Sequence, residues 1–247
     1  MSIAVPIRRW ARGLPGSDVL RFARDLALGG DRRRTTLLAR SKAPGLFQPT
    51  GFTQHNRYPL LFAEARALAG YASMRRLLSF GCSTGEEVLT LRQYFPDAFI
   101  KGLDIDAHRI AECHRRSPAG EMLTDYAVAA SADGEASASF DAVFALAVLR
   151  HGDLGEAPES CTHLLRFSAF EAAITSLVTC LRPGGLLVVR HANFRVEDAS
   201  GAAALVPLLL QPTRSPRYGR DERRIMDDAR ETVIFRKMIP LPSVVAL

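Results

Sequence analysis

Between about residues 59 and 190 the chain alternates short apolar runs with longer runs of helical spacing. Leu77-Leu78-Ser79-Phe80, Ala98-Phe99-Ile100-Lys101-Gly102-Leu103 and the run from Phe140 to Leu149, which leads into a helix start, have strand length and are apolar enough to be buried on both faces. Helical periods follow them. Residues 86–95 set Val88, Leu89, Leu91 and Tyr94 on an inward face, residues 107–115 follow Asp106 as a candidate N-cap, and residues 167–181 stop at the turn Arg182-Pro183-Gly184-Gly185. Pro59 opens a helix to about Tyr71, and Met122-Leu123 begins a short third strand. Residues 186–190 form a fifth strand, residues 202–210 an apolar helix, and residues 231–237 a closing antiparallel strand.

Alternating strands and helices predict an α/β domain over residues 46–247. Ahead of it, residues 1–45 are expected to form a basic helical cap. Ser17 or Asp18 would start its helix, Val19, Leu20, Phe22, Ala23 and Leu26 would form the apolar stripe, and Gly29-Gly30 would end it.

Composition narrows this picture. At 247 residues there is room for one core and an extension, and no apolar run approaches the roughly 18 residues of a membrane span. Cys82, Cys113, Cys161 and Cys180 are scattered without a C-x-x-C pair, so neither a zinc site nor a disulfide framework is expected, no metal is called for, and a reducing cytoplasm is the simplest compartment. The net charge of +6 is concentrated early, at Arg8, Arg9, Arg12, Arg21, Arg24, Arg32, Arg33, Arg34, Arg40 and Lys42. A solvated helical face accounts for it, and an acidic protein partner is the functional alternative. Nucleic acid is less favoured, because only Trp10 and Phe22 interleave with the arginines.

Candidate chemistry centres on Leu77-Leu78-Ser79-Phe80-Gly81-Cys82-Ser83-Thr84-Gly85-Glu86-Glu87, which reads as a strand, a turn flanked by glycines and a helix start. Gly81 and Gly85 permit positive φ and close approach of a ligand to the backbone, and the helix offers free N–H groups. Some 20 residues on, Asp104 ends the second strand, where an acid can accept hydrogen bonds from ribose hydroxyls.

This stretch resembles motif I of the class I S-adenosylmethionine-dependent methyltransferases, and Ser83-Thr84-Gly85-Glu86-Glu87 is most similar to the chemotaxis-receptor glutamate methyltransferases. Thr53-Gln54-His55-Asn56-Arg57 has the Thr-x-x-x-Arg spacing of those enzymes, Phe140-Asp141-Ala142-Val143-Phe144 is similar to motif IV, and Leu181-Arg182-Pro183-Gly184-Gly185-Leu186-Leu187 to the turn before strand five. The resemblance implies a Rossmann-like, seven-stranded, mostly parallel sheet and S-adenosylmethionine as cofactor. It also implies cofactor contacts from Thr53, Arg57, Gly81, Cys82, Ser83, Thr84, Gly85, Glu86, Asp104 and Ile105, with Arg57 meeting the cofactor carboxylate.

The chain departs from the chemotaxis enzymes after strand four. Leu146-Ala147 and His151 stand where they carry Arg-Asn and a Tyr, which removes their glutamate-side groups. His151 and His191, both at carboxyl ends of strands, are then the candidate groups to orient a nucleophile or take its proton, on a small-molecule or protein side-chain O or N acceptor. A catalytically inactive cofactor-binding partner protein and a nucleic-acid methyltransferase are the alternatives. A nicotinamide dehydrogenase is disfavoured because Ser83 replaces the second glycine of Gly-x-Gly-x-x-Gly.

Overall fold

The computed structural model describes residues 23–24, 26–41, 43–70, 74–118, 121–226 and 229–240. The chain divides into two compact units, Met1–Ala43 and Pro44–Leu247. In the first, Ala23, Arg24 and residues 26–28 are helical, and after Gly29 helix α1 spans Gly30–Ser41. The expected helix start, with Ser17, Asp18, Val19, Leu20 and Phe22, lies outside the described residues, as do Arg8, Arg9, Trp10, Arg12, Arg21 and Lys42.

The second unit is built on a seven-stranded sheet. Its elements are α2 (Pro59–Ala69), β1 (Arg76–Phe80), α3 (Glu86–Tyr94), β2 (Phe99–Asp104), α4 (Ala107–Arg116), β3 (Thr124–Val128), β4 (Phe140–Leu146), α5 (Phe167–Cys180), β5 (Leu181–Arg190), β6 (Leu205–Pro212) and β7 (Arg230–Lys237). Strand order is β3-β2-β1-β4-β5-β7-β6. The first five strands run parallel, and β7 is antiparallel to β5 and β6. The chain reverses its strand order at β1, so the carboxyl ends of β1 and β4 flank the crevice where such sheets bind ligands.

Alternation along the strands sorts the core into two layers. Leu78, Val143, Ala145 and Leu187 face α5 with its Phe170, Ile174 and Leu177. Leu77, Ala142, Phe144 and Leu186 face the other layer, with Phe62 of α2, Val88 and Leu91 of α3 and Ile110 of α4. Both faces are covered, which is why these strands read as continuous apolar runs.

Three expectations need correction. Leu89 is 46% exposed, and Thr90 takes the inward place, donating to Glu86 O while accepting the Asn56 N–H. Residues 202–210 are not a helix. A 3-10 turn at Ser200–Ala204 leads into edge strand β6, because Pro207 is incompatible with a helix interior yet tolerated at a sheet edge. Strand four ends at Leu146, where Ala147 takes φ 59 and turns the chain into a loop, so Ala147-Val148-Leu149 are neither strand nor helix.

Candidate active site

Register places the loop. Phe80 pairs with Leu103, so the residues after β1 and β2 leave the sheet side by side. The amides of Gly81 and Cys82 both donate to Leu103 O, and the Ser83 amide then donates to Asp104 Oδ2 at 2.9 Å. Asp104 Oδ1 accepts the Asp106 amide at 2.9 Å and stands 3.7 Å from Arg109 Nη1. Asp106 caps α4 by accepting the His108 N–H. Burial raises the Asp104 carboxyl above its usual range, against the pull of those amides and of Arg109.

Gly81 and Gly85 have φ 79 and φ 93. Their missing side chains make room for the chain itself. A Cβ on Gly81 would lie 2.4 Å from Val148 Cγ2, and one on Gly85 would meet the Tyr126 hydroxyl and Cys113 Sγ. The close approach expected of a ligand at these glycines is thus partly taken by Val148 and Tyr126.

Above the loop lies an open cleft enclosing about 770 Å³ between protein atoms, solvent included. Thr53, Arg57, Gly81, Ser83 and Asp104 line it, and a smaller adjoining hollow of about 330 Å³ is lined by Gly81, Asp104, Ile105 and Ala129. Six of the expected cofactor positions therefore converge. Cys82, Thr84, Gly85 and Glu86 do not line either space. Cys82 is buried with its thiol beside Cys113, Thr84 Oγ1 donates to Glu86, and Glu86 turns to Arg116 at 2.6 Å.

The cleft also contains residues that sequence reasoning missed: Tyr58, Glu87, Arg109, Val148 and Arg150. Glu87 accepts the Ser79 hydroxyl at 2.8 Å, and burial pushes its carboxyl up to about 7, the Ser79 bond and Arg57 opposing. Arg57 lies between the rings of Phe52 and Tyr58, 5.1 Å from each centroid. Its second glutamate made Glu87 findable in the motif, whereas nothing local marks Tyr58 or Arg150.

Neither histidine lines the cleft. His191 stands against Tyr58, ring centroids 5.7 Å apart, with Nδ1 3.3 Å from Ser215 Oγ. Burial and the charges of Arg190, Arg150 and Arg57 push it down to about 4, so its imidazole is neutral at pH 7. His151 Nδ1 accepts the Asp153 N–H at 3.3 Å, capping a 3-10 turn, and burial lowers its pKa. Among the described residues no group of three His, Cys, Asp or Glu could hold a metal ion, and no helix is long and apolar enough to cross a membrane.

A family model described as a methyltransferase domain matches residues 78–189. A comparison with curated proteins found no match. Among solved structures, the [4+2]-cyclase SpnF superposes with a TM-score of 0.51 at 17% identity, over 75% of this chain and 81% of that one. A StiE O-methyltransferase segment, residues 961–1257, aligns with a TM-score of 0.40 at 17% identity, over 53% of this chain and 42% of its own. Phosphoethanolamine N-methyltransferase 2 of Haemonchus contortus, in complex with S-adenosyl-L-methionine, aligns with a TM-score of 0.41 at 18% identity, over 56% of this chain and 29% of its own. The chain thus spans less than half the length of these two methyltransferase structures. Sheet order and family match together make this the Rossmann-like fold of class I methyltransferases. The same fold carries a protein titled a cyclase, so the fold alone does not fix the reaction.

Proposed function

We propose that this chain is an S-adenosylmethionine-dependent methyltransferase acting on an oxygen or nitrogen of a small-molecule or protein side-chain acceptor. The bond from the Ser83 amide to Asp104 carries this reading, because it locks the glycine loop against the acid of β2 inside a segment that matches the methyltransferase-domain model.

The cleft fits the chemical groups of the cofactor. Arg57, which has no carboxylate partner among the described residues, and Thr53 would hold its carboxylate, and Glu87 its ammonium. Asp104 would take the ribose hydroxyls, since a carboxylate offers about four acceptor positions and two are used by amides. Ile105 and Ala129 would border the adenine. When bound, S-adenosylmethionine supplies the electrophilic methyl group. The residues of the chain hold the acceptor in line, exclude water and receive its proton. His191 stands behind Tyr58 and not in the cleft wall, and its neutral imidazole would take that proton from an acceptor that reaches past the Tyr58 ring. His151, engaged with the Asp153 amide, is assigned to positioning the loop after β4. The run Ser83-Thr84-Gly85-Glu86-Glu87 and the Thr53–Arg57 spacing support a likeness to the chemotaxis-receptor enzymes.

Calorimetric titration of S-adenosylmethionine and S-adenosylhomocysteine into the protein tests the proposal, followed by transfer of a labelled methyl group to a panel of acceptors. Micromolar binding with turnover supports it. Binding without turnover on any acceptor favours a non-catalytic partner protein, and a steep salt dependence of RNA binding favours a nucleic-acid substrate. No binding of either ligand overturns it.

A further inference from the structure

Two buried polar atoms that meet no hydrogen-bond partner among the described residues belong to side chains lining the same cleft: the Tyr58 hydroxyl and Arg150 Nε. A native interior rarely leaves such groups unmet, and a pair of them at one cavity points to a missing partner. They come from separate segments, Tyr58 from the residue before α2 and Arg150 from the loop after β4. Both can donate, the phenol one hydrogen bond and the guanidinium several. Arg150 is close enough for its charge to act on Tyr58, His151 and His191, whereas Glu87 feels Arg57. Arg57 acts on Glu87, Tyr58 and His191, and Arg150 on Tyr58, His191 and His151, so two guanidinium charges bear on the same cleft wall.

Arg109 faces Asp104, which leaves Arg57 and Arg150 as cations of the cleft without a carboxylate partner among the described residues. The cofactor carries one carboxylate, one ammonium and one sulfonium. Its carboxylate can answer one guanidinium and Glu87 its ammonium, and the second guanidinium then shares the cleft with the sulfonium without an anion between them. Like charges so placed repel, the more so as bound cofactor displaces water.

We infer that Tyr58 and Arg150 form an oxyanion subsite for the methyl acceptor, which is therefore a small molecule bearing a carboxylate or phosphate group; this rests on the methyltransferase reading above. The planar guanidinium matches either group in two-pronged fashion, and the phenol adds a third donor. Both atoms are closed off from the cleft as the structure stands, so an anion meets them through a turn of the Tyr58 and Arg150 side chains.

Calorimetry on the full chain saturated with S-adenosylhomocysteine tests this with 4-hydroxybenzoate, phenyl phosphate and, as the neutral comparison, 4-hydroxybenzamide. At least one anion is expected to bind tenfold or more tightly than the amide, and which one does so separates carboxylate from phosphate. Tyr58→Phe and Arg150→Gln should each weaken that anion at least fivefold while keeping S-adenosylhomocysteine affinity within twofold, which also shows that they fold. The subsite is overturned if neither anion binds, if the amide binds as tightly, or if both variants bind the anion as wild type does. A tenfold loss of S-adenosylhomocysteine affinity in Arg150→Gln would assign this arginine to the cofactor carboxylate, overturning the subsite and leaving the methyltransferase reading intact. Failure of wild type to bind S-adenosylhomocysteine removes that reading itself, and the subsite with it.

Discussion

The Ser79 hydroxyl donates to the Glu87 carboxylate across 2.8 Å, tying the middle of β1 to the first turn of α3. Burial outweighs this bond and holds Glu87 at about 7, above its usual 4.5. Below pH 4.5 the group is protonated whether the chain is folded or not. As pH rises from there the unfolded chain loses the proton first, so stability falls up to about pH 7 and then levels. In urea unfolding, Glu87→Gln should remove that part of the slope and be roughly 1–3 kcal/mol more stable than wild type at pH 8. An identical pH dependence in the two proteins would refute the shift.

Cofactor affinity should move the other way. If ionised Glu87 meets the ammonium, S-adenosylhomocysteine binds wild type more tightly as pH rises from 6 to 8, and Glu87→Gln binds at least fivefold more weakly at pH 8 with a flatter profile. Parallel profiles for both would remove Glu87 from the ligand set.

Asp104 holds the amides of Ser83 and Asp106. Asp104→Ala should lose those bonds, lowering stability by about 1–3 kcal/mol and S-adenosylhomocysteine affinity at least tenfold. Asp104→Asn keeps one acceptor oxygen and should recover more of the stability than of the affinity. Thermal unfolding beside calorimetry separates the two effects.

Gly81 combines φ 79 with a contact that leaves no space for a methyl group under Val148. Gly81→Ala should destabilise the fold by about 1–3 kcal/mol and abolish measurable cofactor binding. Adding Val148→Gly, which removes the Val148 Cβ at 2.6 Å as well as Cγ2, should relieve the clash and recover only part of the stability, because the left-handed backbone strain remains. Full recovery in the double variant would show that φ contributes nothing.

His191 has φ 60, so asparagine, which tolerates left-handed backbone, is the substitution that isolates the imidazole. With a pKa of about 4, His191 should impose no acid limb on the rate above about pH 5. His191→Asn should lower kcat on the acceptor by about 10²- to 10⁴-fold with S-adenosylhomocysteine affinity unchanged. With S-adenosylmethionine saturating, so that Glu87 no longer governs its binding, a kcat profile breaking near 6.5 would assign the proton elsewhere.

The chain's own patterning determined the parts that depend on neighbours in sequence. Apolar runs at Leu77-Leu78 and Ala142-Val143 read as strands covered on both faces, Gly81 and Gly85 were free to take positive φ, and Asp106 stood where it could cap α4, because each depends on local dihedral freedom or on an apolar run of strand length. Local spacing was less decisive for α3, where one extra apolar residue made Leu89 look inward, and for residues 202–210, where apolar content outweighed the signal of Pro207. Tertiary structure alone decided which groups share the cleft. Tyr58, Glu87, Asp104 and Arg150 come from four segments brought together by the order β2-β1-β4. Whether an arginine finds a carboxylate is equally a matter of contact: Arg109 reaches Asp104, while Arg150 reaches no acceptor among the described residues. Sequence period encodes burial along one element, but pairing between distant side chains depends on where the sheet order sets them, and no local pattern carries that information.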